Sequence, residues 1–174
     1  MLTRRFDPLA APAYRTGAAL LLFALAIILM ALGFEYIGGY TPCPLCLQQR
    51  YAYYAGIPLL FLALVTLAAD KPALATLLFA LVGLGFLANA ALGVYHSGAE
   101  WGFWPGPDTC AGGPAKLSLK ASDFTKPGTA MNVVRCDQAA WRFLGISFAG
   151  YNVLISLLIA YGSAFAARQV QGRS

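Results

Sequence analysis

The chain has 174 residues, of which 59% are apolar and only 11% are charged. Ordinary soluble domains carry about 25% charged residues, and a mean hydropathy of +0.65 also excludes that class. The formal net charge of +5 comes from Lys and Arg residues scattered over flanks and loops, whereas nucleic-acid binding needs dense basic patches. We therefore expect a lipid bilayer, and no nucleic acid, as a partner.

Four long segments contain no Asp, Glu, Lys or Arg. About 20 helical residues cross a hydrocarbon core of about 30 Å, so each segment is long enough for one transmembrane helix. We predict an all-α membrane protein in which residues 1–174 form one domain, a four-helix transmembrane bundle. On the face opposite the termini, its first loop is short and its second loop is long. The predicted helices cover approximately residues 16–37, 47–69, 72–95 and 144–167, and these two loops cover residues 38–46 and 96–143.

The charged flanks predict the orientation of the bundle. Three arginines precede the first span, namely Arg4, Arg5 and Arg15, and Arg50 alone follows it closely. The positive-inside rule gives most weight to such short flanks and usually to the first helix, so both termini are expected to be cytoplasmic. The four cysteines lie on the opposite face. Disulfides persist outside the reducing cytosol, so the cysteines favour the same orientation.

A Cys-x-x-Cys motif, from Cys43 to Cys46, lies at the start of the second span. Pro44 suits the first position of a helix, so Cys43 is expected just before the helix. The helix N-terminus carries partial positive charge, and Arg50 lies one turn beyond Cys46 on the same face. We therefore predict a stabilised thiolate at Cys46.

Taken alone, the Cys-x-x-Cys motif leaves several kinds of site open. Haem attachment is excluded because Leu47 stands where a histidine is required. Zinc sites usually combine two close pairs or pairs with histidine, but Cys110 and Cys136 are far apart and His96 is the single histidine. We expect no metal, and a zinc site of all four cysteines remains an alternative. Two inert disulfides are disfavoured because a bridge within Cys-x-x-Cys closes almost no chain.

The remaining features concern loops and polar residues within the spans. The second loop is rich in Gly and Pro, and we expect it to be irregular with one short surface helix around residues 115–124. The connection at residues 70–72 predicts a hairpin of spans two and three, with a proline in the first turn of the new helix. Asn89 and Asn152 lie inside spans three and four, where we expect their amides to hydrogen-bond across the helices. Glu35, at the end of the first span, receives no role.

Several motifs occur together with the four spans. They are Cys43, Pro44, Leu45 and Cys46 followed by Arg50, the pair Tyr95 and His96, the pair Cys110 and Cys136 in the second loop, and residues 141–145 before the fourth span. In this combination the chain resembles the disulfide bond formation protein B (DsbB) family of bacterial inner-membrane thiol oxidases. The resemblance covers nearly the whole chain, and the combination is specific although each motif alone is not.

The resemblance implies an electron relay at the periplasmic face of the inner membrane. A reduced thioredoxin-fold oxidase of the DsbA type attacks a disulfide between Cys110 and Cys136 and forms a mixed disulfide with Cys110. The released Cys136 then attacks Cys43, which leaves Cys46 as a thiolate beside a membrane quinone. The quinone, ubiquinone or menaquinone, accepts two electrons and restores the disulfide between Cys43 and Cys46.

Two further residues are implied to bind the quinone. Arg50 holds the Cys46 thiolate and hydrogen-bonds the quinone ring, since a guanidinium is a planar donor of fixed geometry; the alternative is an arginine that snorkels at the membrane edge. His96 is either a second polar contact to the quinone or a proton donor. A histidine at the interface without such a role is the alternative there.

Two other functions stay open at this point. A vitamin K epoxide reductase-like enzyme also combines a membrane helix bundle, Cys-x-x-Cys and a quinone. Its Cys-x-x-Cys is expected at the end of a late span and its other cysteine pair in the first loop, the reverse of the order found here. A non-enzymatic, zinc-binding tetraspan membrane protein would use the four cysteines as metal ligands or permanent staples.

Overall fold

The described part of the chain forms a bundle of four α-helices. The computed structural model describes residues 11–107, 136–137, 139 and 141–172. All four helices are long and apolar enough to cross a membrane, which confirms the predicted all-α four-helix bundle. Cys110 and the helix predicted around residues 115–124 lie outside the described residues. In chain order the elements are α1 Pro12–Tyr36, α2 Pro44–Ala68, α3 Pro72–Glu100, β1 Arg142–Phe143, β2 Ile146–Ser147 and α4 Phe148–Gln171.

The helix starts follow from local sequence. The first three helices begin with Pro12, Pro44 and Pro72, respectively. Proline is favoured at this position because its missing N–H has no intrahelical acceptor there and its fixed φ suits a helix. α4 begins after Ser147, whose hydroxyl accepts a hydrogen bond from the Gly150 N–H at 3.2 Å. The prolines therefore start α1 and α2 slightly earlier than predicted.

The end of α3 differs from the prediction. The helix continues past residue 95 to Glu100, so His96 belongs to the helix and not to the second loop. The chain has no proline between this segment and Pro105 that would stop the helix. Gly98 and Ala99 are buried, so the last turn packs against the rest of the protein.

The start of α4 also differs, because the helix begins at Phe148 and not at residue 144. Residues 142–147 form a two-stranded antiparallel hairpin. Leu144 and Gly145 make its turn, with φ values of 50° and 82°. Positive φ at both central residues is the geometry of the two-residue turns that match the twist of paired strands.

Large apolar side chains fill the core of the bundle and cover its outside. Leu60, Phe79, Phe86 and Ile159 are at most 1% exposed. Tyr53 meets the Phe86 ring edge to face, with 5.1 Å between the ring centroids. Many other leucine, valine and phenylalanine side chains are exposed on the outer helix faces. Apolar surface of this extent is unfavourable in water, so these faces contact lipid.

Polar side chains tie three helices together inside the bundle. The Asn89 amide donates hydrogen bonds to Asn152 Oδ1 at 3.3 Å and to Ser156 Oγ at 2.9 Å. The Tyr53 hydroxyl donates to the same Asn152 oxygen at 2.9 Å. The predicted bond between Asn89 and Asn152 is confirmed, and it belongs to a larger network that includes Tyr53 and Ser156.

Candidate redox site

The first half of the site is the start of α2. Cys43 is the N-cap residue, and its sulfur accepts a hydrogen bond from the Cys46 N–H at 3.2 Å. Residues three apart share one face of a helix, and here the two Sγ atoms are 2.7 Å apart. Both cysteines are free thiols in this structure, Cys43 buried and Cys46 partly exposed. The structure thus describes the reduced pair, at the helix start that the sequence predicts.

His96 reaches this pair from the last turns of α3. Its Nε2 lies 3.6 Å from Cys43 Sγ and 3.7 Å from Glu100 Oε1. On the other side of the ring, Nδ1 lies 3.2 Å from Gln49 Nε2. The imidazole is buried, so these contacts define its surroundings within the described residues. His96 thus contacts the buried Cys43 of the motif from α3.

The thiolate of the reduced pair is favoured on Cys43. The pKa of Cys43 is lowered from 9.0 to about 5, first by the hydrogen bond with the Cys46 side chain and then by His96, while burial opposes the shift. The sequence predicted a stabilised thiolate at Cys46 instead. The difference arises because the free N–H at the helix start points at Cys43 Sγ, and His96 lies on that side as well.

A cavity of about 400 Å³ opens beside Cys46, between α1, α2 and α4. Its volume lies in the range of small-molecule sites, which are mostly apolar with a few polar groups. Trp141 stacks on Phe148 with a centroid distance of 5.0 Å, and Phe34 meets Phe148 at 5.1 Å. Arg50 and Gln49 supply polar groups to the lining, whereas His96 does not line this cavity. The shape and lining suit a flat, apolar ligand.

Arg50 is joined to α1 at the cavity wall. Its Nη1 donates a hydrogen bond to Glu35 Oε2, and the pair forms a salt bridge with side chains that are 12% and 21% exposed. These are the only charged side chains among the described residues that line the cavity. A guanidinium has five N–H donors, so Arg50 keeps others for a ligand. The sequence assigned Glu35 no role, although a carboxylate at the end of an apolar span was a signal for a partner of this kind.

Cys136 connects the start of α2 to the second loop. Cys136 is buried in one cluster with Cys43 and Leu45. The sulfurs of Cys136 and Cys43 and the Nε2 of His96 lie within 4.8 Å of one another. Cys136 is disulfide-bonded, and since Cys43 and Cys46 are free, its partner lies outside the described residues.

This cluster also resembles a set of metal ligands, which needs free thiolates. In its disulfide, Cys136 has no thiolate to offer. A sulfur that lies close to a disulfide is instead the arrangement that thiol-disulfide exchange requires. The structure therefore brings Cys43, Cys46, Arg50, His96 and Cys136 to one end of the bundle, and Cys110 is the site residue that lies outside the described part.

Comparisons with known proteins show the family of the chain. The sequence model of the family described as "Disulfide bond formation protein DsbB" matches residues 14–166. Disulfide bond formation protein B of Methylococcus capsulatus is 33% identical over 145 residues, 79% of this chain and 82% of that protein. The Histophilus somni protein of the same name is 29% identical over 139 residues, with 78% and 76% coverage.

An uncharacterised protein of Rickettsia prowazekii is 30% identical over 148 residues, 80% of each chain. No solved structure matches the chain. The family match covers α2 and α3 completely, most of α1 and α4, and the residues of the candidate site. The chain therefore belongs to the DsbB family of disulfide bond formation proteins.

Proposed function

We propose that this protein is a quinone-dependent protein-disulfide oxidoreductase. It oxidises a periplasmic thioredoxin-fold oxidase of the DsbA type by disulfide exchange and passes the electrons to a membrane quinone, which sustains disulfide bond formation. One observation carries the proposal. Cys46 lines an apolar cavity with Arg50, while Cys43, 2.7 Å from it, lies within 4.8 Å of the sulfur of Cys136. One cysteine pair thus faces both a lipid-phase site and a second disulfide.

The exchange steps follow from these positions and start from a protein in which both pairs are oxidised. The partner's thiolate attacks Cys110 of a Cys110–Cys136 disulfide, and the electron pair of the broken bond leaves on Cys136. Cys136 then attacks Cys43, the Cys43–Cys46 bond breaks, and its electron pair leaves on Cys46. The partner's second thiolate then releases Cys110 as a thiolate, Cys110 attacks Cys136, and the electron pair of the broken Cys43–Cys136 bond leaves on Cys43. Each step forms one disulfide and breaks one, so two electrons move from the partner's dithiol to the pair of Cys43 and Cys46 without an added oxidant.

The residues of the cavity fit a quinone. Aromatic side chains, Phe34, Trp141 and Phe148, form walls suited to a planar ring, and Arg50 offers N–H donors to a carbonyl oxygen. When bound, ubiquinone or menaquinone supplies an acceptor for two electrons and two protons. Arg50 and Cys46 both line this cavity, so the guanidinium adds positive charge to the site whose sulfur is negatively charged after exchange.

His96 is proposed to serve Cys43. The expected alternatives for His96 were a quinone contact and a proton donor. Its Nε2 lies 3.6 Å from Cys43 Sγ, and His96 is absent from the cavity lining, which disfavours the quinone contact and supports a role as hydrogen-bond donor to Cys43. A hydrogen bond from Nε2 stabilises the Cys43 thiolate whenever that sulfur is the leaving group.

The location is proposed from the sequence together with the bundle. Arg4 and Arg5 precede α1 and Arg15 lies in its first turn, whereas the site lies at the opposite end, where α2 begins and α3 ends. The positive-inside rule then gives the bacterial inner membrane, cytoplasmic termini and a periplasmic site. A membrane-impermeant thiol reagent applied to intact spheroplasts of a reduced culture should label this end; labelling only after lysis overturns the orientation.

Quinone reduction by the purified protein tests the function. The protein in detergent is mixed without oxygen with ubiquinone and a reduced thioredoxin-fold donor, and the quinone absorbance is followed. We expect one quinone reduced per donor dithiol oxidised, and no reduction with Cys46→Ala. Full activity of Cys46→Ala, or no electron transfer by the wild type, overturns the proposal. Metal analysis of the same wild-type sample addresses the zinc alternative, because stoichiometric zinc without quinone reduction supports a metal site.

A further inference from the structure

Gln49 lies between the cavity and His96. It is on α2 one turn after Cys46, is 6% exposed and lines the cavity. Its Nε2 is 3.2 Å from His96 Nδ1. A side-chain amide nitrogen is only a donor, so in this contact Nδ1 of His96 accepts through its lone pair.

The opposite nitrogen of His96 faces acceptors. Nε2 lies 3.6 Å from Cys43 Sγ and 3.7 Å from Glu100 Oε1, and all three side chains are buried. A thiolate and a carboxylate are acceptors only. A proton on Nε2 is directed at the Cys43 thiolate, whereas a lone pair on Nε2 would face that negative charge. The contacts at the two ring nitrogens therefore agree on one tautomer.

We propose that Gln49 is a positioning residue that holds His96 as the neutral tautomer with its proton on Nε2, directed at Cys43. This inference deepens the proposed function and rests on it for its catalytic meaning. When the Cys110 thiolate attacks Cys136 of a Cys43–Cys136 disulfide, the Cys110–Cys136 bond forms and the electron pair of the broken bond leaves on Cys43 Sγ. The Nε2–H then donates a hydrogen bond to that thiolate, and no proton has to be transferred at this step.

The position of Gln49 also links His96 to the cavity wall. Cys46 and Gln49 are three residues apart on one helix face, so the group that orients His96 belongs to the wall that receives the ligand. Without the amide donor, the imidazole proton can move to Nδ1, and a lone pair on Nε2 would then oppose the Cys43 thiolate. Gln48, the neighbour of Gln49, is exposed and makes none of these contacts among the described residues, so it offers a matched control.

The test is the tautomer itself, which is measurable because the chain has one histidine. The protein, labelled with imidazole-¹⁵N histidine and reduced in detergent micelles, is examined by long-range ¹⁵N–¹H correlation NMR. In wild type and Gln48→Leu we expect the protonated nitrogen to be Nε2. In Gln49→Leu we expect a mixture of tautomers, and in Gln49→Glu, whose carboxylate accepts from Nδ1, protonation of Nδ1. A wild-type proton on Nδ1, or a Gln49→Leu spectrum equal to wild type, overturns the inference.

The kinetic readout separates this inference from the proposed function. Single-turnover exchange between the donor and the cysteine pairs, followed by acid quench and thiol mapping, should slow on the order of 10-fold in Gln49→Leu and stay unchanged in Gln48→Leu. Equal slowing of both variants contradicts the positioning role. If the wild type fails to reduce quinone, the proposed function falls, while the NMR spectra still decide the tautomer. A Gln49→Leu protein that unfolds is replaced by Gln49→Glu, which keeps the side-chain length.

Discussion

The guanidinium of Arg50 donates a hydrogen bond to the carboxylate of Glu35, so the last turn of α1 and the second turn of α2 meet at the cavity wall. This contact limits the directions in which the remaining N–H groups of Arg50 can point. Charge-assisted bonds of this kind also restrict side-chain rotation. Glu35 therefore restricts the orientation of the Arg50 guanidinium at the cavity wall.

Glu35→Ala should weaken quinone binding. The variant leaves Arg50 without its described partner, so the guanidinium has to be ordered by the ligand itself. A hydrogen bond to a charged group contributes about 1.5–3 kcal/mol, and about 1.4 kcal/mol corresponds to tenfold in binding. We expect the KM for ubiquinone to rise on the order of 10-fold and kcat to change little, measured over a series of quinone concentrations. Glu35→Gln keeps an acceptor oxygen and should show a smaller rise.

Asp70→Asn is the control for loss of one negative charge. Asp70 lies between α2 and α3 at the other end of the bundle, with φ at 55°. Asparagine tolerates that left-handed backbone, so this variant should fold and retain the wild-type KM. The role of Glu35 is contradicted if Asp70→Asn raises the KM as much, or if Glu35→Ala leaves it unchanged.

Cys46→Ala should trap a bond between Cys43 and Cys136. Their sulfurs lie within 4.8 Å of each other together with His96 Nε2, and without Cys46 the Cys43 thiolate has no competing partner in its own motif. We expect non-reducing peptide mapping to find the Cys43–Cys136 disulfide, in a protein that no longer reduces quinone. Cys43→Ala is the comparison, because it retains Cys46 but should yield no bond to Cys136. A map in which Cys136 is linked to Cys46 in that variant would show that the two cysteines of the motif are interchangeable.

The pH dependence of the reduced protein should report the thiolate on Cys43. The pKa of Cys43 is lowered to about 5 by the hydrogen bond with Cys46 and by His96, so thiolate ultraviolet absorbance should appear as the pH rises through about 5. Ordinary cysteine thiols have a pKa of about 8.5, so the other thiols should ionise at higher pH than Cys43. Cys43→Ser should lack this step, and His96→Ala should raise its midpoint. A first step at the ordinary thiol pKa in the wild type would contradict the assignment.

The sequence was sufficient for the fold because each relevant signal is local. Charge-free length predicts the spans, and Pro44 predicts that α2 begins directly after Cys43. The end of α3 and the start of α4 were missed for local reasons too. The hairpin at residues 142–147 takes up the predicted first turn of α4, and α3 continues to Glu100 because no proline stops it.

The sequence was insufficient for contacts between helices. In lipid, all faces of a span are apolar, so the hydrophobic pattern does not encode how each helix is rotated. The pairing of Glu35 with Arg50 and of Gln49 with His96 depends on that rotation. The same reason explains why the thiolate was predicted on the wrong cysteine. The helix dipole favoured Cys46, but the sequence does not predict the contact of His96 on α3 with Cys43. Asn89 and Asn152 were predicted because amides inside apolar spans have few other partners.

The hydrogen bond between Asn89 and Asn152 should appear as a coupling energy between these two residues. Asn89 donates to Asn152 Oδ1 and to Ser156 Oγ, so either alanine variant disrupts the shared bond. We expect each of Asn89→Ala and Asn152→Ala to lower the free energy of unfolding by about 1 kcal/mol, and the double variant to lose less than the sum, with a coupling energy of about 0.6 kcal/mol. Unfolding in mixed detergent measures these values.

Thr66→Val supplies the matched comparison for that cycle. The Thr66 hydroxyl donates to Ala63 O within α2, at 2.9 Å. The variant therefore removes a polar group inside a span without breaking a described bond between helices. Combined with Asn89→Ala it should give additive changes, because the two residues share no partner. Additivity of Asn89→Ala and Asn152→Ala would mean that their bond contributes nothing to stability. The Asn152 amide would then serve the cavity, which Asn152 lines.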